Sequence, residues 1–77
     1  MNIKILGGGC ASCRKLEENA KKACAELGIG AKFEKVQDYA KMMEFGISST
    51  PALMVDGKVI SEGRTPSVAE IKEMLVE

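Results

Sequence analysis

Apolar and polar residues alternate from the start of the chain, Ile3 and Ile5 with Asn2 and Lys4, which is the two-residue period of a strand over 2–6. Gly7-Gly8-Gly9 breaks it. From about 11 to 27 the period changes. Cys13, Leu16, Ala20, Cys24 and Leu27 recur at three- and four-residue steps, one face of an amphipathic helix, while Lys15, Glu18, Lys21, Lys22 and Glu26 fall largely elsewhere. Gly28 stands where a helix C-cap belongs. Residues 31–36 form a weaker, charged strand suited to a sheet edge.

Asp38 can cap a short second helix that carries Met42 and Phe45 and ends at Gly46. After Ser48-Ser49-Thr50-Pro51, the run Ala52-Leu53-Met54-Val55 is continuously apolar, as in a strand covered on both faces. Asp56-Gly57 is a strong hairpin signal, so 58–61 should return antiparallel. Gly63 and Pro66 mark a loop. Ser67 with Glu70 makes a capping box for a last helix burying Val68, Ile71 and Leu75. The predicted order is β-α-β-α-β-β-α, an α/β fold with a mixed four-stranded sheet flanked by helices, in one domain over 1–77. The first two strands, joined through a helix, should be parallel.

Composition narrows the function. Eleven basic residues balance eleven acidic ones along the 77 residues, so no basic face for nucleic acid or anionic lipid is expected. The opening apolar run is too short for a secretory h-region and no later segment could span a bilayer, so the chain reads as cytoplasmic; a monomer is expected. Three cysteines and no histidine neither make a disulfide scaffold nor close a four-ligand zinc site. No cofactor or resident metal is implied.

The chemistry concentrates in Gly9-Cys10-Ala11-Ser12-Cys13, at the junction of a strand and a helix. A thiolate is the nucleophile in disulfide exchange. At the helix mouth, unpaired N–H groups and the helix dipole favour the anion, with Arg14 and Lys15 adding nearby charge. Cys10 is therefore the expected attacking thiol, and Cys13, about one turn further on, the resolving one. Cys24 lies eleven positions beyond Cys13 on the same helix, roughly 16 Å along its axis, and reads as a small core residue. The glycine run lacks the spacing of a phosphate loop and serves to turn the chain and leave Cys10 accessible. Met42, Met43, Met54 and Met74 read as core filler, and Tyr39 as half-buried packing.

The Cys10–Cys13 turn, Thr50-Pro51, the Val55-Asp56-Gly57-Lys58-Val59 hairpin and Gly63 together resemble the thioredoxin superfamily, in particular its small glutaredoxin-sized archaeal and bacterial branch of redox-active disulfide proteins. The resemblance spans the chain. It implies a thioredoxin/glutaredoxin-like fold and a protein-disulfide oxidoreductase, with protein disulfides as substrates and a thioredoxin-reductase-type electron donor ahead of glutathione. It also implies that Pro51 is a cis-proline facing the cysteine pair and that the Thr50 backbone contacts the substrate. Departures are visible. The intervening pair is Ala11-Ser12, no Trp precedes Cys10, and the first strand offers Lys4 but no carboxylate, so the buried acid of thioredoxins has no evident counterpart.

The competing reading is a soft-metal carrier, because a Cys pair after a strand also suits Cu(I). Copper-chaperone domains run β-α-β-β-α-β and usually carry Met two residues before the first Cys. Here that residue is Gly8, and Thr50-Pro51 has no use in such a domain.

Overall fold

In a computed structural model of the chain, which describes residues 1–7 and 11–76, seven elements follow one another: β1 (Asn2–Leu6), α1 (Ala11–Leu27), β2 (Lys32–Val36), α2 (Tyr39–Glu44), β3 (Ala52–Val55), β4 (Lys58–Glu62) and α3 (Val68–Leu75). The strands form one mixed sheet in the order β2-β1-β3-β4. β1 pairs parallel with β2 and antiparallel with β3, and β3 pairs antiparallel with β4. The charged strand β2 takes an edge, where one row of backbone groups faces water rather than a neighbour.

Local chemistry accounts for the boundaries. Asp56 and Gly57 have φ of 50° and 86°, the pair of positive values that a type I′ hairpin turn requires. The same turn is tied back to the start of the chain: the Asp56 amide donates to the Asn2 carbonyl at 2.8 Å, and the Asn2 amide donates to Asp56 Oδ1 at 2.8 Å. Ile60 is the extra residue of a bulge, since Leu53 pairs with Ser61 and Met54 with Val59. Asp38 caps α2 by accepting from the Ala40 amide at 2.9 Å. Ser67 and Glu70 form the reciprocal capping box at the head of α3.

The alternation along β1 and β3 divides the core. Ile3, Ile5 and Leu53 face α1 and α3, packing on Leu16, Ala20, Ala23, Cys24 and Ile71. Leu6, Ala52 and Met54 face the other way, onto Val36, Met42 and Ile47. Fully burying one such aliphatic side chain contributes about 1.5–3 kcal/mol. The buried face of α1 also includes Asn19, whose amide Nδ2 donates to the Pro66 carbonyl at 3.0 Å and so joins α1 to the turn before α3.

Two expectations are corrected. Tyr39 is 67% exposed and Met43 77% exposed, not core or half-buried. The six-residue helix α2 turns one narrow stripe to the sheet, filled by Met42, and Tyr39 and Met43, four apart, lie together on the outer side. Met42 and Met54 are buried and Met74 is half-buried.

Candidate active site

Cys13 sits in the first turn of α1 with its side chain buried against the sheet. Cys10, the expected nucleophile, lies outside the described residues together with Gly8 and Gly9. Gly7, just past the end of β1, donates its amide to the Val36 carbonyl at 2.9 Å. A Cβ placed on Gly7 would stand 2.1 Å from Cys13 Sγ, 3.2 Å from Cys13 Cβ and 3.9 Å from Pro51 Cα. The Cys13 side chain therefore occupies the space that any larger residue at 7 would need.

Pro51 arrives beside Gly7 through the strand register. Leu6 pairs with Ala52 across β1 and β3, so the next residues outward, Gly7 and Pro51, meet at the end of the ladder. Pro51 is buried, Thr50 is exposed, and the peptide between them is cis. The Pro51 carbonyl accepts from the Gly63 amide at 2.9 Å. Gly63 has φ of 71°, and a Cβ there would come within 2.9 Å of Ser49 Cβ, so both conformation and space call for glycine.

A small cavity of about 30 Å³ opens beside Cys13, room for a water molecule. Cys13, Arg14 and Glu17 wall it from α1, Lys35 and Gln37 from the β2 side. Glu17 Oε1 pairs with Lys35 Nζ at 3.1 Å, and Glu17 Oε2 with Lys21 Nζ at 3.3 Å. Burial pushes the Glu17 carboxyl up, but hydrogen bonds and charge from Lys35 and Lys21 outweigh it and leave the group below the ordinary carboxylate range. Glu17 does not stand out in the sequence. Its four-residue spacing from both Cys13 and Lys21 was the available signal, and Lys35 comes from a strand whose placement the spacing does not give.

Cys24 is a free, buried thiol in the core facing α3, and burial pushes its thiol up. A thiol so placed is a poor nucleophile.

A buried cysteine at a helix start, packed against a glycine that a buried proline also flanks, is an arrangement for thiol chemistry at one end of a sheet. Over residues 1–76 the sequence matches the family model described as a thioredoxin domain. The chain belongs to the thioredoxin family. It is 47% identical over 75 residues to a thioredoxin of Methanothermobacter thermautotrophicus, covering 97% of each chain. It is 45% identical over 73 residues to a thioredoxin of Methanocaldococcus jannaschii, covering 95% of this chain and 84% of that one. The α/β architecture with a mixed four-stranded sheet is the thioredoxin-like one, and the protein is a thiol–disulfide oxidoreductase. The copper-carrier alternative finds no support: the relatives are thioredoxins, and the chain closes with a hairpin and a helix rather than in the β-α-β-β-α-β order. Among the described residues no helix is long and apolar enough to cross a membrane.

Proposed function

We propose that this thioredoxin-family protein, folding as one unit over 1–77, reduces protein disulfides by cycling Cys10 and Cys13 between dithiol and disulfide. The Cys10 thiolate attacks a substrate disulfide. A mixed disulfide forms and one substrate sulfur leaves as a thiolate that takes a proton from water. Cys13 then gives up its proton and bonds to the Cys10 sulfur, and the second substrate sulfur departs with the electron pair of the broken bond. Two electrons have passed to the substrate. A thioredoxin-reductase-type donor, rather than glutathione, returns them with two protons.

The observation that carries this reading is the packing of Cys13 against Gly7 at the head of α1, beside Pro51. A sulfur buried on the sheet side suits a thiol that resolves, leaving attack to the cysteine three residues earlier in the chain. The exposure of Thr50 next to buried Pro51 supports its backbone as the contact for an extended substrate chain. The protein works as a monomer in the cytoplasm on protein thiols; a balanced net charge, with eleven residues of each sign, weighs against nucleic acid or an anionic membrane as partner.

The test uses two substitutions. Cys10→Ser should abolish exchange, and Cys13→Ser should accumulate a mixed disulfide through Cys10, located by peptide mass spectrometry. An adduct on Cys13 in the Cys10→Ser protein, with none on Cys10 in the converse variant, reverses the roles. A redox titration in dithiol buffers should show one two-electron transition in which Cys24 stays free; failure to form an intramolecular disulfide at any poise overturns the proposal.

A further inference from the structure

The segment that joins α2 to β3 is pinned at three residues and open at the one expected to meet substrate. At its start Ile47 is buried, and its amide donates to the Met42 carbonyl at 2.9 Å. Both donors of the next residue go to one carboxylate: the Ser48 amide donates to Glu62 Oε1 at 3.4 Å, and Ser48 Oγ donates to Glu62 Oε2 at 3.2 Å. At its end the Pro51 carbonyl accepts from the Gly63 amide. Between these anchors Thr50 is exposed, and no hydrogen bond joins it to the described residues.

Strand register puts Glu62 in reach. Glu62 pairs with Ala52 across β3 and β4, level with the residue that follows Pro51, and paired residues share a face of the sheet. Ala52 and Ile47 belong to the same core under α2, so the Glu62 carboxylate stands where the chain leaves that core. Among the described residues no lysine or arginine pairs with Glu62. Its two oxygens are spent on the neutral donors of a single serine, so balancing a surface charge is not its use. Hydrogen bonds to an ionised acceptor are about twice as strong as neutral ones, and a two-point hold fixes direction as well as distance.

We propose that Glu62 is a positioning residue for substrate docking: by gripping Ser48 from the end of β4, it holds residues 48–51 so that the Thr50 backbone is set for an extended chain carrying the disulfide. The inference rests on Thr50 being the backbone contact. Without the grip, Ser48, Ser49 and Thr50 would have to be ordered as the substrate docks, and that loss of freedom would come out of affinity. The effect is selective. A disulfide embedded in a peptide uses the Thr50 backbone, whereas a small disulfide without a backbone reaches the cysteine pair and has no use for the segment.

The test compares two oxidants of the reduced protein, a disulfide-bonded peptide and the aromatic disulfide dithiobis(nitrobenzoate), by their second-order rate constants. Glu62→Ala should slow the peptide about tenfold and leave the aromatic disulfide within about twofold of its original rate. Glu62→Gln keeps an oxygen for the Ser48 amide and offers an N–H to Ser48 Oγ, so it should restore most of the peptide rate. Ser48→Ala, which loses only the hydroxyl, should slow the peptide about threefold and add nothing to Glu62→Ala, the signature of a shared interaction. A peptide rate unchanged in Glu62→Ala overturns the proposal, as does equal slowing of both disulfides, which would mean a general structural role. Glu62→Gln as slow as Glu62→Ala also overturns it, because the charge would then act on the substrate directly. Reduction of the aromatic disulfide by the unsubstituted protein reports the Cys10–Cys13 cycle by itself, so a failure of that cycle is told apart from a failure of the Glu62 grip.

Discussion

Gly7 shows how much a residue without a side chain can determine. Its φ is not in the left-handed region, so no turn geometry demands glycine; the demand is space, since Cys13 Sγ occupies the place of its missing Cβ. Gly7→Ala should therefore push Cys13 off its site, costing at least about 1–3 kcal/mol as an overpacked position. Denaturant unfolding would measure the loss, and a wild-type midpoint would refute the packing argument. The sequence made Cys13 legible, because two thiols three apart after a strand announce themselves. It did not make Gly7 or Glu17 legible. The first acquires its meaning from Cys13 and Pro51, the second from Lys35, and those partners meet only once the sheet has formed. Tyr39 and Met43 were misread for a related reason: hydrophobic type does not say which side of a six-residue helix meets the sheet.

At the scale of elements, punctuation residues carried the sequence reading. Asp56-Gly57, Asp38, Gly46, and Ser67 with Glu70 act through local backbone conformation or through bonds to near neighbours, which spacing alone can reveal. In α3, Ser67 Oγ accepts from the Glu70 amide at 3.2 Å, and the Ser67 amide donates to Glu70 Oε1 at 3.0 Å. Ser67→Ala should cost about 1 kcal/mol by removing the cap, seen as a lower melting temperature; an unchanged one would mean the helix is held by Ile71 alone. The Ser67 amide and then the Arg64 guanidinium hold the Glu70 carboxyl below its ordinary value of 4.5. A depressed carboxyl stabilises the fold above its unfolded value, and that contribution is lost as pH falls through the folded one. Acid should therefore loosen α3 below about pH 4, and Glu70→Gln should flatten that part of the stability profile. A profile identical in the variant would count against the linkage.

For the molecule as a whole, the order of elements could be read in advance but the order of strands in the sheet could not. Hairpin chemistry pairs β3 with β4, and a crossover pairs β1 with β2. Nothing local says that β1 lies beside β3, and it is this pairing that brings Gly7 to Pro51. The central strands are also where stability concentrates. Leu53 is fully buried among Ile3, Ile5, Leu16 and Ile71. Leu53→Ala should cost about 2–5 kcal/mol, a large share of the total of about 4–12 kcal/mol expected at roughly 0.05–0.15 kcal/mol per residue. A loss under about 1 kcal/mol in denaturant unfolding would mean that the sheet does not close around this side chain.

The bonds between Asn2 and the Asp56-Gly57 turn give the sheet two unlike poles. Met1 and the hairpin tip stand at one, Gly7 and Pro51 at the other, separated by the length of β1, about 17 Å. A tether attached through Met1 leaves from the pole away from Cys13. Protein anchored to a solid support by that end would present its thiol chemistry outward, with the linker hanging clear of whatever docks there.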